Sequence, residues 1–235
     1  MPLPDATADA FALLFSGDAA LWQIVRVSLA TSAAGLLLAT PPAVVLGYAL
    51  ASHRFRGRRL AIWLVQAALS LPTVLIGLLL YLLLSRHGPL GGLHWLFTRQ
   101  GLIAGQAVIA TPVLLAFTLA AVQAADPRYA ETAIAHGARP SRVMFTVLHE
   151  VRFGVMAAVI SGFGRVFSEV GCALMVGGNI AGATRTITTT IALETSKGEF
   201  AQGVALGIVL VAVALLMNGA LMLAQGDAGA ARSRP

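Results

Sequence analysis

Charge is what this chain has least of. Of its 235 residues, 11% are Asp, Glu, Lys or Arg, and 57% are hydrophobic. A soluble globular domain carries about 25% charged residues. With a mean hydropathy of +0.82, the chain lacks the polar surface to stay in water and reads as an integral membrane protein. Lysine is almost missing: Lys197 stands alone. No GxxxxGK[ST] phosphate loop can be written around it, so the chain has no visible means of binding ATP. The single cysteine, Cys172, excludes an intrachain disulfide and a cysteine-based metal cluster. The start, MPLPDATADAFALLFSGD, is acidic (Asp5, Asp9) and lacks a basic n-region, so it is no secretory signal and the chain must insert through its own spans.

Enzyme motifs are missing as well. A helical zinc-protease motif needs a second histidine one turn after the first. His149-Glu150 begins such a motif, but position 153 is Phe153. A GxSxG serine elbow is absent, and no aspartate lies within a predicted span. His53, His87, His94, His136 and His149 all lie in or near loops, with no spacing that makes a metal site. No catalytic residue, metal or cofactor is expected on this chain. The net charge of +6 does not imply nucleic acid, because basic residues of membrane proteins collect in cytoplasmic loops.

Long apolar runs are what remains. A spanning helix needs about 20 apolar residues. Five runs qualify: Val27–Leu50 with Pro41-Pro42, Leu60–Leu84 with Pro72, Leu102–Val122 with Pro112, Phe153–Val176, and Gly203–Leu223. The expected fold is all-α, a single polytopic membrane domain over residues 1–235. The prolines predict kinks or broken helices. Arg54, Arg56, Arg58 and Arg59 lie in one loop, Arg128, Arg139, Arg142 and Arg152 in another, and Arg232 and Arg234 in the tail. The opposite side holds fewer: Arg26, Arg86, Arg99, Arg185 and Lys197. The richer side is expected in the cytosol. That puts an N-terminal segment (1–20) outside and a tail (224–235) inside.

One cytoplasmic stretch interrupts the apolar pattern: RYAETAIAHGARPSRVMF, Arg128 to Phe145. Asp126-Pro127 reads as an N-cap and a first-turn proline. A helix from Pro127 to His136 follows. Gly137 suits the left-handed residue that ends a helix, and Pro140 opens a second helix toward Leu148. Ala130, Ala133, Ile134 and Gly137 share one face at i, i+3, i+4, i+7 spacing, small enough for a partner groove to approach. On physical grounds alone the segment is either such a handle or an elbow that tucks polar residues between spans.

This stretch resembles the cytoplasmic coupling loop of permease subunits of ABC importers, in which Glu-Ala-Ala is followed three residues later by glycine. Glu131, Ala133 and Gly137 match, Ala138 follows, and Thr132 replaces an alanine. The family's further Leu-Pro is absent and HEVR (His149 to Arg152) stands there, a departure expected of the tungstate branch. The resemblance implies that residues 126–150 dock in a groove of a separate cytoplasmic ATPase, which binds ATP and Mg.

The second constellation runs from Ser161 to Phe200. Arg165 and Glu169 lie four apart inside the fourth span, where an ionisable residue is costly unless paired or facing a cavity. At i, i+4 they can form an ion pair, either structural or a switch. Then GGNIAGATRTITTT sets Thr184, Thr186, Thr188, Thr189 and Thr190 around Arg185. Hydroxyls, free N–H groups and an arginine suit an oxyanion; a threonine-rich surface helix explains them equally. The run FGRVFSEVG with GGNIAGATRTITTTIALETSKGEF is similar to tungstate-transport permeases, relatives of molybdate and sulfate permeases. By that resemblance Asn179, Thr184, Arg185, Thr186, Thr188 and Thr189 line the external gate.

The reading that results is a multi-pass permease of the inner membrane working as a homodimer, since five helices make a thin wall alone. An ATPase drives it, and an external binding protein delivers the oxyanion to the loops around Arg86–Gln100 and Gly177–Phe200. Tungstate is the first expectation for cargo, then molybdate or sulfate. An ATPase-independent anion channel or secondary carrier is the rival of another class.

Overall fold

The computed structural model describes residues 10–12 and 14–232, all helix, turn or loop. The acidic start with Asp5 and Asp9, and the tail's Arg234, lie outside the described residues. Helix α1 is Ala19–Ser52, α2 Arg58–Leu69, α3 Thr73–Leu84, α4 Arg99–Gln123, α5 Arg128–Ala135, α6 Pro140–Glu150, α7 Arg152–Phe167, α8 Gly171–Gly177, α9 Ile187–Lys197 and α10 Phe200–Arg232. Three are long and apolar enough to cross a membrane: α1, α4 and the Phe200–Ala220 part of α10. Two bent pairs, α2 with α3 and α6 with α7, bring the number up to five if each pair is one span.

The second predicted span, Leu60–Leu84, is broken in its middle, as its proline predicts. Helices α2 and α3 meet at 101°, and each, at 12 residues, is about 18 Å long. Neither crosses a hydrocarbon core of about 30 Å alone. Pro72 is the cause. It lacks an N–H and disfavours helical geometry at Leu71 before it. Its backbone is extended (φ −60°, ψ 123°), and α3 starts one residue later. Pro41-Pro42 and Pro112, by contrast, sit within unbroken α1 and α4.

The fourth predicted span, Phe153–Val176, is also interrupted. Its helix α7 ends at Phe167, residues 168–170 are not helical, and α8 resumes at Gly171. The last helix begins at Phe200 and runs past the expected Leu223 to Arg232.

The core is the α1–α4 pair, with α7 across both and α10 against α7 and α9. Two glycines set the spacing. A Cβ at Gly35 would stand 2.8 Å from Gln106 Cβ, and one at Gly47 2.9 Å from Thr118 Cβ. Leu21, Leu36, Leu114, Phe163, Val166 and Leu206 fill the centre. The outer faces stay apolar: Leu64, Leu79, Leu215 and Leu216 are all exposed. Such a surface has lipid, not water, as its solvent.

Candidate functional site

The elbow is built by its own caps. Asp126 Oδ1 accepts the Arg128 N–H at 2.9 Å, while Pro127, not Asp126, holds the N-cap position. At the other end Gly137 takes φ +73°. Its N–H donates to Ile134 O at 2.9 Å and that of Ala138 to Ala133 O at 3.0 Å. This pair of bonds is a Schellman ending, which requires a residue with positive φ. Arg139 is extended and Pro140 starts α6. Val147 of α6 packs with Tyr48 of α1 and Val122 of α4, so the elbow is seated on the ends of the two core helices.

Ala130 belongs to that seat, packed against the same cluster, and so leaves the outward face expected of it. Ala133 and Ala138 are half-buried, whereas Glu131 and Gly137 are exposed. Ile134 and Phe145 stand out from the surface, 62% and 66% exposed. A cleft of about 640 Å³ lies in the crook, with Arg128, Tyr129, His136 and Arg142 on its walls.

At the far end of the chain's core lies a hairpin, residues 177–190. Gly178 and Gly182 take φ +70° and +76°, and Asn179 +51°. Ile180 O accepts the N–H groups of Ala183, Thr184 and Arg185. The Thr184 hydroxyl donates to Gly177 O and accepts from Ile180 N at 3.1 Å. Thr186 caps α9 in a reciprocal box with Thr189. Thr189 Oγ1 also lies 3.0 Å from Asn179 Oδ1, and Thr190 Oγ1 donates to Thr186 O at 2.7 Å. All five threonines are buried, and their hydroxyls are engaged within the protein. Arg185 is half-buried; its Nη2 is 3.5 Å from Asn179 O, and its buried Nε has no hydrogen-bond partner.

Two ties that the sequence did not reveal fix this hairpin. Ser28 of α1 accepts the Ile187 N–H at 2.7 Å across 159 residues. Arg99, at the start of α4, forks onto the hairpin's carbonyls: Nε donates to Ala183 O and Nη2 to Gly182 O, both at 3.0 Å. A lone serine in an apolar run and a loop arginine were the only available signals, and neither names a distant partner.

Glu169 joins the hairpin to the broken α7–α8 rod. Its backbone carbonyl accepts the Thr188 hydroxyl at 2.6 Å. Its Oε1 accepts the Cys172 N–H at 3.0 Å, capping α8. Arg165 Nη1 lies 4.0 Å from Glu169 Oε2, with side-chain exposures of 43% and 3%. Among the described residues no group of His, Cys, Asp and Glu could hold a metal ion.

The chain is thus a helical bundle with broken helices, an elbow at one end and a capped hairpin at the other. The fold matches that of the MetNI methionine ABC transporter in its inward-facing conformations, with a TM-score of 0.66 over 94% of this chain and 96% of that one, at 18% identity. It also matches a bacterial ABC transporter that imports the acidic polysaccharide alginate, at 0.72 over 91% and 82%, at 19% identity. Sequence then gives the family. Residues 43–225 match the binding-protein-dependent transport system inner membrane component, and the chain belongs to that family. It is thus a multi-pass inner-membrane transport subunit, not an enzyme.

Relatives are similar over most of their length. The tungstate uptake system permease protein of Campylobacter jejuni is 37% identical over 91% of this chain and 90% of its own. A probable anion ABC transporter permease protein of Haloferax volcanii is 36% identical over 84% and 88%. The molybdenum transport system permease protein of Haemophilus influenzae is 30% identical over 69% and 75%.

Proposed function

We propose that this chain is the permease subunit of an ATP-driven importer for a tetrahedral oxyanion, with tungstate as cargo. The 37% identity to the Campylobacter jejuni tungstate permease over 91% of the chain carries this reading. The molybdenum permease is more distant at 30% over 69%, which puts molybdate behind tungstate; molybdate or sulfate is the alternative cargo. Two copies would enclose the pathway. A cytoplasmic ATPase would bind ATP and Mg and grip the elbow through Glu131, Ala133, Gly137 and Ala138. Exposed Ile134 and Phe145 on the two helices of the elbow support such a seat. An external binding protein would deliver the anion over the hairpin of Asn179, Thr184, Arg185, Thr186, Thr188 and Thr189. In this reading the threonines fix the gate's shape and Arg185 supplies its charge. Arg165 and Glu169 would re-pair as the bundle opens. The N-terminus would lie outside and the C-terminus in the cytosol.

Cargo is tested by tungsten, molybdenum and sulfur accumulation in cells with this chain deleted and restored, at trace external oxyanion. Loss of tungsten alone is expected; loss of molybdenum or sulfur instead moves the cargo, and no change in any removes it. A motor-free channel or carrier is the rival, and Gly137 separates the two. A Cβ there meets nothing within 4 Å, so any side chain meets backbone strain at φ +73° but no neighbour of its own chain at Cβ. A residue that tolerates the strain separates it from a clash with a partner. Gly137→Trp should abolish transport, while Gly137→Asn, which tolerates positive φ, should keep it. Transport by a folded, membrane-inserted Gly137→Trp would favour the carrier.

A further inference from the structure

We propose that Arg165 is the cation that contacts the cargo within the membrane, at the centre of a polar stripe on α7 that faces the permeation route. This rests on the oxyanion reading above and names the residue that would meet the anion. Arg165 lies about 20 Å along α7 from Arg152, at 1.5 Å per residue. It stands in the last turn of α7, with the apolar helix α8 following, yet its side chain is 43% exposed. Among the described residues its guanidinium makes no hydrogen bond, and its one ionic neighbour is Glu169 at 4.0 Å. Five N–H donors facing hydrocarbon are too costly to keep. The side of α7 that carries them therefore faces water or a second polar surface.

The neighbours on that side agree. Ser161, Gly164 and Arg165 recur at i, i+3 and i+4, which is one helix face, and Ser168 follows on that side as the C-cap. Gly164, Arg165 and Ser168 are all exposed, and a Cβ built on Gly164 meets nothing within 4 Å. Among the described residues nothing covers the stripe at Gly164. In a dimer two such stripes would look at one another across the path.

Glu169 cannot take the anion's place. It is 3% exposed, and its Oε1 is held by the Cys172 N–H. The carboxylate is thus fixed while the guanidinium is free to turn. Without cargo, Arg165 rests beside Glu169. With cargo, it swings its donor fork onto the oxygens of a tetrahedral anion, the geometry that arginine matches and lysine does not.

The test uses the assembled complex of permease, ATPase and binding protein in proteoliposomes, with tungstate as probe and assembly measured alongside. Arg165→Gln should lower import by about tenfold or more, the order set by one lost charge-assisted hydrogen bond. Arg165→Lys should lose less. In a Cys172→Ala background, Arg165→Cys should regain import on reaction with 2-aminoethyl methanethiosulfonate, which restores a positive charge. The 2-sulfonatoethyl reagent should not restore it. A merely structural arginine would not show this dependence on charge sign. Import by Arg165→Gln at the wild-type rate, or no reaction of Arg165→Cys with either water-borne reagent, overturns the proposal. If the Arg165 variants do not assemble, Gly164→Cys reads the same face: reaction supports it and inertness overturns it. A wild-type complex that moves none of tungstate, molybdate or sulfate sinks the oxyanion reading and this inference together. Normal wild-type import with an unaffected Arg165→Gln sinks the inference alone.

Discussion

Asn179 does two things at once. It adopts φ +51°, which asparagine tolerates better than most residues, and its Oδ1 stands 3.0 Å from the Thr189 hydroxyl. The two contributions can be separated. Asn179→Gly keeps the backbone conformation and loses the side-chain bond. Asn179→Ala loses both, and should be less stable than the glycine variant by about 1–2 kcal/mol, the left-handed penalty for a residue with a Cβ. Thermal unfolding of the detergent-solubilised protein measures the difference; equal stability would mean that the left-handed strain is relieved elsewhere. Thr188→Val is a second case. It removes the hydroxyl from Glu169 O and leaves a buried carbonyl without that donor, so it should destabilise by about 1–3 kcal/mol. The sequence displayed these threonines as a cluster of donors. It could not display that Thr188 would reach back to Glu169, or that Ser28 would take the start of α9, because such bonds join residues that only the packed fold brings together.

Prolines and glycines carry the message at the scale of helices, and they were unequally legible. Pro72, Pro112 and the Pro41-Pro42 pair look alike as interruptions of apolar runs. Only Pro72 ends its helix, with a 101° turn between α2 and α3. The others lie in helices clamped along the core, where α1 and α4 pack on each other and tertiary packing can offset a missing backbone bond. Proline alone therefore predicts a cost, and the neighbours decide whether it becomes a break. The elbow was easier to read because its signals are local: Asp126, Gly137 and Pro140 fix caps within a few residues. Gly47 is opaque in sequence and decisive in packing. A Cβ there would lie 2.9 Å from Thr118 Cβ and 3.1 Å from Leu115 O. Gly47→Val should force α1 and α4 apart and destabilise by about 1–3 kcal/mol, read as a lowered unfolding midpoint. Gly164→Ala, where a Cβ meets nothing, is its control, and equal loss in both would show that close approach is not what Gly47 serves.

For the molecule as a whole, orientation follows from charge that is sparse but unevenly placed. The loop of Arg54 to Arg59 and the elbow of Arg128 to Arg152 lie toward one end of the predicted spans, and the hairpin with Arg185 and the end of α9 with Lys197 toward the other. Basic residues resist translocation, so the elbow should face the cytosol and α9 the exterior. Each end offers an exposed site suited to a small label: Ala135 on the elbow and Ser196 near the end of α9. The native Cys172 is 2% exposed and can be replaced by alanine to leave a silent background. In that background, Ser196→Cys should react with a membrane-impermeant maleimide in spheroplasts and not in inside-out vesicles. Ala135→Cys should do the opposite. The same pair carries a further reading, because α9 hangs from Glu169 through Thr188 while the elbow is seated on α1 and α4. An ATPase that closes on the elbow would act on the core pair first, and on the hairpin through α7 and Glu169. If so, ATP added to the assembled complex should change the labelling rate of Ser196→Cys, and Glu169→Gln, which keeps an acceptor but removes the charge opposite Arg165, should weaken that response. A response indifferent to Glu169 would mean that the signal crosses the membrane by another helix.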